Sequence, residues 1–197
     1  MTRQLLARSA LSAALSLSAC APSAREPALA TATRFVATPS RIAALSQDNA
    51  EPGLPAQISF DGARGRSALY LKFTADFRVH GAPLQAFIAL SPLDDAPLDG
   101  APVEIEAWRI SSAWQPEQLV TWSDKPPLAP PYARAELSSA SRGAQRIDVT
   151  ELVRFAARNP GLDFGIALLG RGGSGHGATF ATGSHGGVAP RLEVYER

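Results

Sequence analysis

The side chains most suited to holding a ligand are aromatic, because a flat ring covers the apolar face of a sugar and loses few rotors on binding. The sequence offers all three tryptophans, Trp108, Trp114 and Trp122, with the tyrosines Tyr70 and Tyr132. Strand alternation sets Trp108 opposite its aliphatic neighbours, which makes it a candidate surface aromatic. Tyr70 and Tyr132 are the other candidate surface aromatics. Trp114 and Trp122 bracket the start of a proline-rich segment and are predicted to pack in the core.

Serine, histidine and glycine residues near the C-terminus suggest enzyme motifs but lack the context that such motifs need. Residues 170–175 read G-R-G-G-S-G, yet no helix-forming segment follows to meet a pyrophosphate, which favours a hairpin loop. Ser174, His176, Ser184 and His185 come without the G-x-S-x-G elbow of a hydrolase. We therefore predict no catalytic site, no enzymatic activity and no cofactor.

A small acidic cluster, Asp94, Asp95 and Asp99, precedes Gly100. Calcium takes several carboxylate and carbonyl oxygens, so such a cluster could bind it. Asp and Gly are also ordinary turn residues, and a solvated turn is the preferred interpretation. A zinc site needs histidines clustered with carboxylates or cysteines, a pattern not found here. We predict no metal site.

Cys20, the only cysteine, follows a short export-like segment. Arg3 and Arg8 with no acid form a charged region, and residues 9–19 are small and apolar, as in an export signal. This apolar run is much shorter than the ~20 residues that span a bilayer. A lone cysteine in an exported chain has no internal disulfide partner and needs another explanation.

Residues 17–20, Leu-Ser-Ala-Cys, resemble the lipobox of bacterial lipoproteins. The resemblance implies a diacylglycerol on the Cys20 sulfur, cleavage before Cys20 and acylation of the new amino group. Several acyl chains are needed because a single chain binds a membrane only marginally. Ala21 in place of Asp is similar to the class sent to the outer membrane, so we predict a lipid-anchored protein of the cell envelope. An ordinary secretory signal with an A-x-A-like cleavage site is the alternative.

Composition predicts one near-neutral domain on a tether. Removing residues 1–19 leaves 178 of 197 residues, and loss of two arginines from 19 basic residues leaves 17 against 18 acidic ones. Because the charges nearly balance and the sequence has no basic run, we predict no nucleic-acid partner. Residues 20–31 are rich in Ala, Pro and Ser and predict a flexible tether, which leaves residues 32–197 as the domain.

Short segments punctuated by Gly and Pro predict an all-β domain. Ser67–Phe73 alternates clearly, and Val103–Ile110 alternates with a late switch that indicates a bulge or a twist. One short helix is predicted over residues 150–157, with Thr150 as N-cap. This pattern favours an antiparallel β-sandwich of jelly-roll type, with a closed barrel as the alternative. The other predicted strands are 33–38, 56–60, 85–90, 144–149, 162–169, 178–182 and 191–195, and a loop is predicted over 115–132.

A series of motifs resembles the DNRLRE domain family of exported bacterial and archaeal proteins. The motifs are 67–73 (SALYLKF), 114–117 (WQPE), 120–122 (VTW), 147–153 (IDVTELV), 164–168 (FGIAL), 180–182 (FAT) and 189–195 (APRLEVY). Their order and spacing carry the resemblance, which covers about residues 32–197. It implies a β-sandwich and, through a related group of carbohydrate-binding modules, a polysaccharide ligand.

Together these inferences predict a non-catalytic lipoprotein, bound to membrane lipid through Cys20, whose sandwich binds polysaccharide or another envelope ligand. Trp108, Tyr70 and Tyr132 are the predicted ligand-binding residues. The alternative is a structural or assembly lipoprotein that contacts another envelope protein, which an apolar surface patch would favour.

Overall fold

A computed structural model describes residues 32–47, 54–60, 67–74, 83–93, 102–138, 141, 143–171, 178–184 and 187–196. Cys20, with the predicted signal and tether, lies outside these residues. So do the acidic cluster at Asp94, Asp95 and Asp99, most of the glycine-rich segment, and the residues Ser174, His176 and His185. Among the described residues, no helix has the length and apolar character needed to cross a bilayer.

The described residues form eleven strands, one α-helix and three short 3-10 helices. The strands are β1 (Thr33–Ala37), β2 (Pro39–Ser46), β3 (Gln57–Phe60), β4 (Ser67–Phe73), β5 (Pro83–Leu90), β6 (Val103–Ile110), β7 (Leu128–Leu137), β8 (Gln145–Asp148), β9 (Ile166–Gly170), β10 (Ala178–Ala181) and β11 (Arg191–Glu196). The helix α1 is Thr150–Arg158, and the 3-10 helices are Pro116–Gln118, Trp122–Asp124 and Pro160–Leu162.

The strands form two main antiparallel sheets that face each other. One has five strands in the order β2-β4-β9-β6-β7, and the other has four in the order β1-β11-β5-β8. Strands β3 and β10 form a separate pair. Because successive strands such as β4, β5 and β6 alternate between the two main sheets, the architecture is a jelly-roll-like β-sandwich. The predicted fold class, an all-β sandwich with one short helix, is confirmed.

The core lies between the two sheets and follows from the period of two along each strand. Leu69 and Leu71 of β4 point inward and share one apolar cluster with Ile88 of β5 and Leu192 of β11. Each such side chain contributes about 1.5–3 kcal/mol when it leaves water. The aliphatic faces of the sequence therefore determine which side of each sheet is buried.

Helix α1 spans 150–158, close to the prediction, but Thr150 is not its N-cap. Thr150 is the first helical residue, and its hydroxyl donates to Asp148 Oδ1 at 2.6 Å. The same Oγ1 accepts the backbone N–H of Ala86 in β5 at 2.9 Å. The Thr150 hydroxyl therefore joins the helix to the four-stranded sheet, which helps to position Leu152 and Val153 in the core.

Strand β7 corrects the loop predicted over 115–132, because Leu128–Leu137 is a strand despite its two prolines. Strand β7 is an edge strand of its sheet, and Pro130 and Pro131 lie where its register with β6 shifts, so their missing N–H groups remove no ladder hydrogen bond. Strand β2 was also not predicted. Strand β9 begins at Ile166 and not at residue 162 as predicted, because Pro160–Leu162 forms a 3-10 helix. The bulge or twist predicted near the end of β6 is not a bulge in β6, which pairs with β9 without a break. The register shift between Trp108 and Arg109 arises in β7, where Pro130 and Pro131 are extra residues.

Candidate ligand-binding face

The three predicted ligand-binding residues lie in one straight row across the outer face of the five-stranded sheet. Cross-strand pairing brings Ala43 opposite Tyr70, Tyr70 opposite Ala167, Ala167 opposite Trp108, and Trp108 opposite Tyr132. The row passes from β2 through β4, β9 and β6 to the edge strand β7. Strand alternation suggested Trp108 and Tyr70, and the pairing of β6 with β7 brings Tyr132 to the same face.

Tyr70, however, is not a surface residue, and its prediction as an exposed ligand-binding tyrosine is wrong. Its side chain is fully buried because the segment after β6 folds back over the β2–β4 half of the sheet. Trp114 of that segment lies 6.0 Å from Tyr70 between ring centroids and is itself buried, as predicted. Trp114 Nε1 donates to the carbonyl of Phe164 at 2.8 Å, and its carbonyl accepts from Arg41 at 3.1 Å.

The buried Tyr70 hydroxyl has no hydrogen-bond partner within the described part of the chain. Burial raises the pKa of this hydroxyl well above its usual range, so it stays protonated. A buried hydroxyl without a partner costs free energy on folding because its hydrogen bonds to water are not replaced. Tyr70 is therefore a core residue that carries an unfavourable polar atom.

Tyr70→Phe is expected to stabilise the protein by about 1–2 kcal/mol, because it removes the unpaired hydroxyl and keeps the ring. Urea unfolding monitored by circular dichroism measures this change. Tyr132→Phe is the matched control, since its hydroxyl lies on an exposed side chain and its loss should leave stability unchanged. A loss of stability in Tyr70→Phe would instead indicate a buried water bound to the hydroxyl.

Trp108 and Tyr132 form the uncovered end of the row, and we call this pair the aromatic platform. Their rings are stacked, with centroids 4.3 Å apart and planes inclined by 13°. Tyr132 is 45% exposed and belongs to an edge strand, and the guanidinium carbon of Arg134 lies over its ring at 5.5 Å from the centroid. On the other side, Ala167 presents only a methyl group beside Trp108. The exposed part of the Tyr132 ring is therefore available to a ligand, beside the Arg134 guanidinium.

Glu106, two residues before Trp108 on β6, holds the platform in place through a hydrogen bond to the indole. Its Oε2 accepts the indole N–H of Trp108 at 2.8 Å and the Nε–H of Arg171 at 2.6 Å, while its Oε1 lies 3.1 Å from Arg134 Nη2. Burial alone would raise the pKa of Glu106, but the bonds from Trp108 and Arg171 and the charges of Arg171 and Arg134 outweigh it and lower the pKa. Glu106 is therefore ionised at neutral pH and holds the indole in a single orientation.

Arg134 and Arg171 bring polar donors to the rim of the platform. Their side chains are 58% and 57% exposed, although each contacts Glu106. A guanidinium has five N–H donors, so both residues keep donors for the hydroxyl or carboxylate oxygens of a ligand. Sequence alternation alone could have identified Glu106, which shares a strand face with Trp108. Arg134 was missed because no strand was predicted over the residues that form β7.

A second concave feature lies between α1 and the end of the sandwich. Its cavity volume is about 20 Å³, enough for about one water molecule and far below that of a sugar site. The guanidinium of Arg109 lies 4.5 Å from the centre of the Phe155 ring at this cavity. Across the described residues, no group of three His, Cys, Asp or Glu side chains could hold a metal ion. The platform is thus the stronger candidate site.

Comparison with known proteins supplies no assignment for this site, since no family model and no curated protein matches the chain.

Proposed function

We propose that this protein is a cell-envelope lipoprotein, anchored by lipid on Cys20 in the outer membrane, whose sandwich domain binds polysaccharide on the aromatic platform. The observation that carries the proposal is the stack of Trp108 on Tyr132 at an uncovered sheet edge. The order of the DNRLRE-like motifs and the lipobox-like segment ending at Cys20 support it.

The platform suits a sugar because it is apolar, flat and held in place before binding. The indole N–H of Trp108 is already bonded to Glu106, so a ligand meets the ring without breaking a bond to water there. Preorganised rings lose little rotamer freedom on binding, which leaves more of the contact energy as affinity. The C–H face of a sugar can then lie on Tyr132 while its hydroxyls accept hydrogen bonds from Arg134 or Arg171.

We propose a non-catalytic role for this face. Glu106 is the carboxylate closest to the rings, and both its oxygens are engaged by Trp108, Arg171 and Arg134. General acid catalysis needs a carboxyl that is protonated near the working pH, and general base catalysis needs a free lone pair aimed at the substrate. The lowered pKa and the occupied oxygens of Glu106 fit neither role.

Tyr132→Ala and Trp108→Ala are each expected to weaken polysaccharide binding by about tenfold or more, because each removes a stacking surface. The measurement is affinity electrophoresis and calorimetry with a panel of neutral and acidic polysaccharides, using the chain from residue 20 onward with Cys20→Ser. Tyr132→Ala is the cleaner variant, since Tyr132 makes no bond to Glu106.

Trp122→Ala is the matched control for this experiment. Trp122 is also a partly exposed tryptophan, but it lies in the segment after β6 that covers Tyr70. Lys125 Nζ lies 4.0 Å from the centre of its ring. Its loss should leave polysaccharide affinity unchanged. The proposal is overturned if no polysaccharide binds the wild-type chain, or if Trp122→Ala and Tyr132→Ala weaken binding equally while circular dichroism shows both to be folded.

A further inference from the structure

The outer face of the four-stranded sheet carries three arginines around one buried carboxylate. Glu193 of β11 has a side chain only 1% exposed, and its Oε1 lies 2.7 Å from Arg34 Nη2 and 3.3 Å from Arg191 Nε. Its Oε2 lies 2.8 Å from Arg146 Nη2. We call Arg34, Arg146 and Arg191, with Glu193 beneath them, the arginine face. Three strands, β1, β8 and β11, bring these guanidinium groups together.

The arginine face has more positive than negative charge. Against its three guanidinium groups stand two carboxylates on the same side of the sheet, Glu193 and Asp148. Asp148 Oδ1 also accepts hydrogen bonds from the backbone N–H and hydroxyl of Thr150. One positive charge therefore has no counter-charge within the part of this face that the structure describes.

The aromatic platform shows the opposite balance with the same kind of residues. There Arg134 and Arg171 stand against the carboxylates of Glu104, Glu106 and Glu136, which share one side of β6 and β7. A buried glutamate under arginines is thus common to both outer faces, but the described residues leave surplus positive charge only on the arginine face. The platform therefore provides an internal control for any charge effect.

The guanidinium groups of the arginine face keep donors directed to solvent. Their side chains are 37–49% exposed, and each approaches Glu193 through one nitrogen. Arg146 is close to Oε2 but not aligned for a hydrogen bond, since that oxygen has no hydrogen-bond partner among the described residues. Arg146 also lies 5.9 Å from the centre of the Phe87 ring, which limits its movement. These donors are positioned before any ligand arrives.

We propose that the arginine face binds the phosphate groups of lipid headgroups in the membrane that anchors the protein. Guanidinium groups pair with phosphate through two parallel N–H···O bonds, so several neighbouring arginines suit this group. The inference rests on the proposed anchoring at Cys20. Strand β1, which carries Arg34, is the first described element and an edge strand of this sheet.

The length of chain between Cys20 and β1 supports the membrane as the source of phosphate. Residues 20–33 reach at most about 45 Å when fully extended. A lipid at Cys20 therefore keeps the arginine face near the bilayer at a high effective concentration, and weak contacts are sufficient for docking. On this inference the four-stranded sheet turns towards the membrane and the aromatic platform, on the opposite sheet, turns away from it.

The test uses the chain from residue 20 onward with Cys20→Ser, because every described strand and helix begins at Thr33 or later. Its partitioning onto vesicles of phosphatidylcholine with phosphatidylglycerol is measured at low salt. Arg146→Gln is expected to lower the partition coefficient about threefold to fivefold, which is the size expected for one arginine near an anionic surface. Asp148→Asn is expected to raise the partition coefficient by a similar factor, because it removes a negative charge from the arginine face. The amide oxygen can still accept the hydrogen bonds from Thr150, so the local structure should be kept.

Arg134→Gln is the matched control, since it removes an arginine from the platform and should leave partitioning unchanged. Equal losses in Arg134→Gln and Arg146→Gln, or no response to Arg146→Gln and Asp148→Asn, overturn the proposal. Binding of inorganic phosphate without binding to vesicles overturns the lipid as the source. This assay uses an unlipidated chain, so its failure is distinguishable from a failure of anchoring, which acyl labelling at Cys20 measures separately.

Discussion

Cys20→Ser is expected to move the protein from the membrane fraction to the soluble fraction of the cell envelope. Serine has nearly the same size as cysteine but cannot form the thioether to diacylglycerol. Each buried CH₂ of an acyl chain contributes about 0.8 kcal/mol to membrane binding, so loss of all chains removes stable anchoring. Membrane fractionation and labelling with a tagged fatty acid measure the two consequences.

The control for this prediction is the double variant Cys20→Ser with Ser23→Cys. It restores a lone thiol three residues downstream, outside the lipobox-like sequence, and should remain soluble and unlabelled. If the wild-type chain is itself soluble and unlabelled after export, the ordinary secretory signal is the correct interpretation. The aromatic platform would then belong to a free rather than an anchored domain.

The platform could be predicted in part because strand alternation is a local property. The pattern of Val103–Ile110 sets Trp108 and Glu106 on one face, but it did not show that the irregularity opposite Arg109 lies in β7. The same logic correctly set Tyr70 opposite Leu69 and Leu71. It failed for exposure, because Tyr70 is covered by Trp114, which lies 44 positions away in the chain. Which residues cover a strand depends on the tertiary structure, and a local alternation pattern does not predict it.

The arginine face could not be predicted from the sequence. Arg34, Arg146 and Arg191 are far apart in the chain, and only the strand order β1-β11-β5-β8 brings them around Glu193. Each arginine alone is an ordinary polar residue on the outer side of a strand. Their convergence depends on register, since Arg191 of β11 and Arg146 of β8 pair with the same residue of β5, Ala89. Sheet register is set by the whole domain.

Glu106 and Glu193 have the same structural role on opposite sheets. Each is a carboxylate buried on an outer face, and for each the effect of burial on the pKa is outweighed by hydrogen bonds and positive charges, so that the pKa is lowered. Removing a single partner from such a buried pair is costly because a charge is left without compensation. We infer that both clusters order the arginines and aromatics above them, and that ligand contacts involve the outer groups.

Gly165→Ala is expected to destabilise the protein by at least about 3 kcal/mol, the largest stability effect that we predict for one methyl group. Gly165 has a φ of +107°, a conformation that residues with a Cβ rarely adopt. A Cβ at this position would lie 2.3 Å from the carbonyl oxygen of Leu71 and 3.2 Å from the Cα of Lys72. Both atoms belong to the backbone of β4, an interior strand of the five-stranded sheet, so neither can move without shifting that strand.

Gly161→Ala is the control, because a Cβ there meets nothing within 4 Å and φ is not in the left-handed region. It should change the free energy of unfolding by no more than about 0.5 kcal/mol. Urea unfolding of both variants measures the difference, and equal stability of the two would contradict the close approach of Gly165 to β4.

The functional consequence of Gly165 follows from its hydrogen bond to β6. Its carbonyl accepts the backbone N–H of Ile110 at 3.0 Å, two residues after Trp108, and the carbonyl of the preceding Phe164 accepts the indole N–H of Trp114. One tight segment thus supports both the strand that carries the platform and the loop that covers Tyr70. Gly165→Ala should therefore lower polysaccharide affinity together with stability, whereas Tyr132→Ala should lower affinity alone. A folded Gly165→Ala variant with unchanged affinity would show that the platform does not depend on this segment.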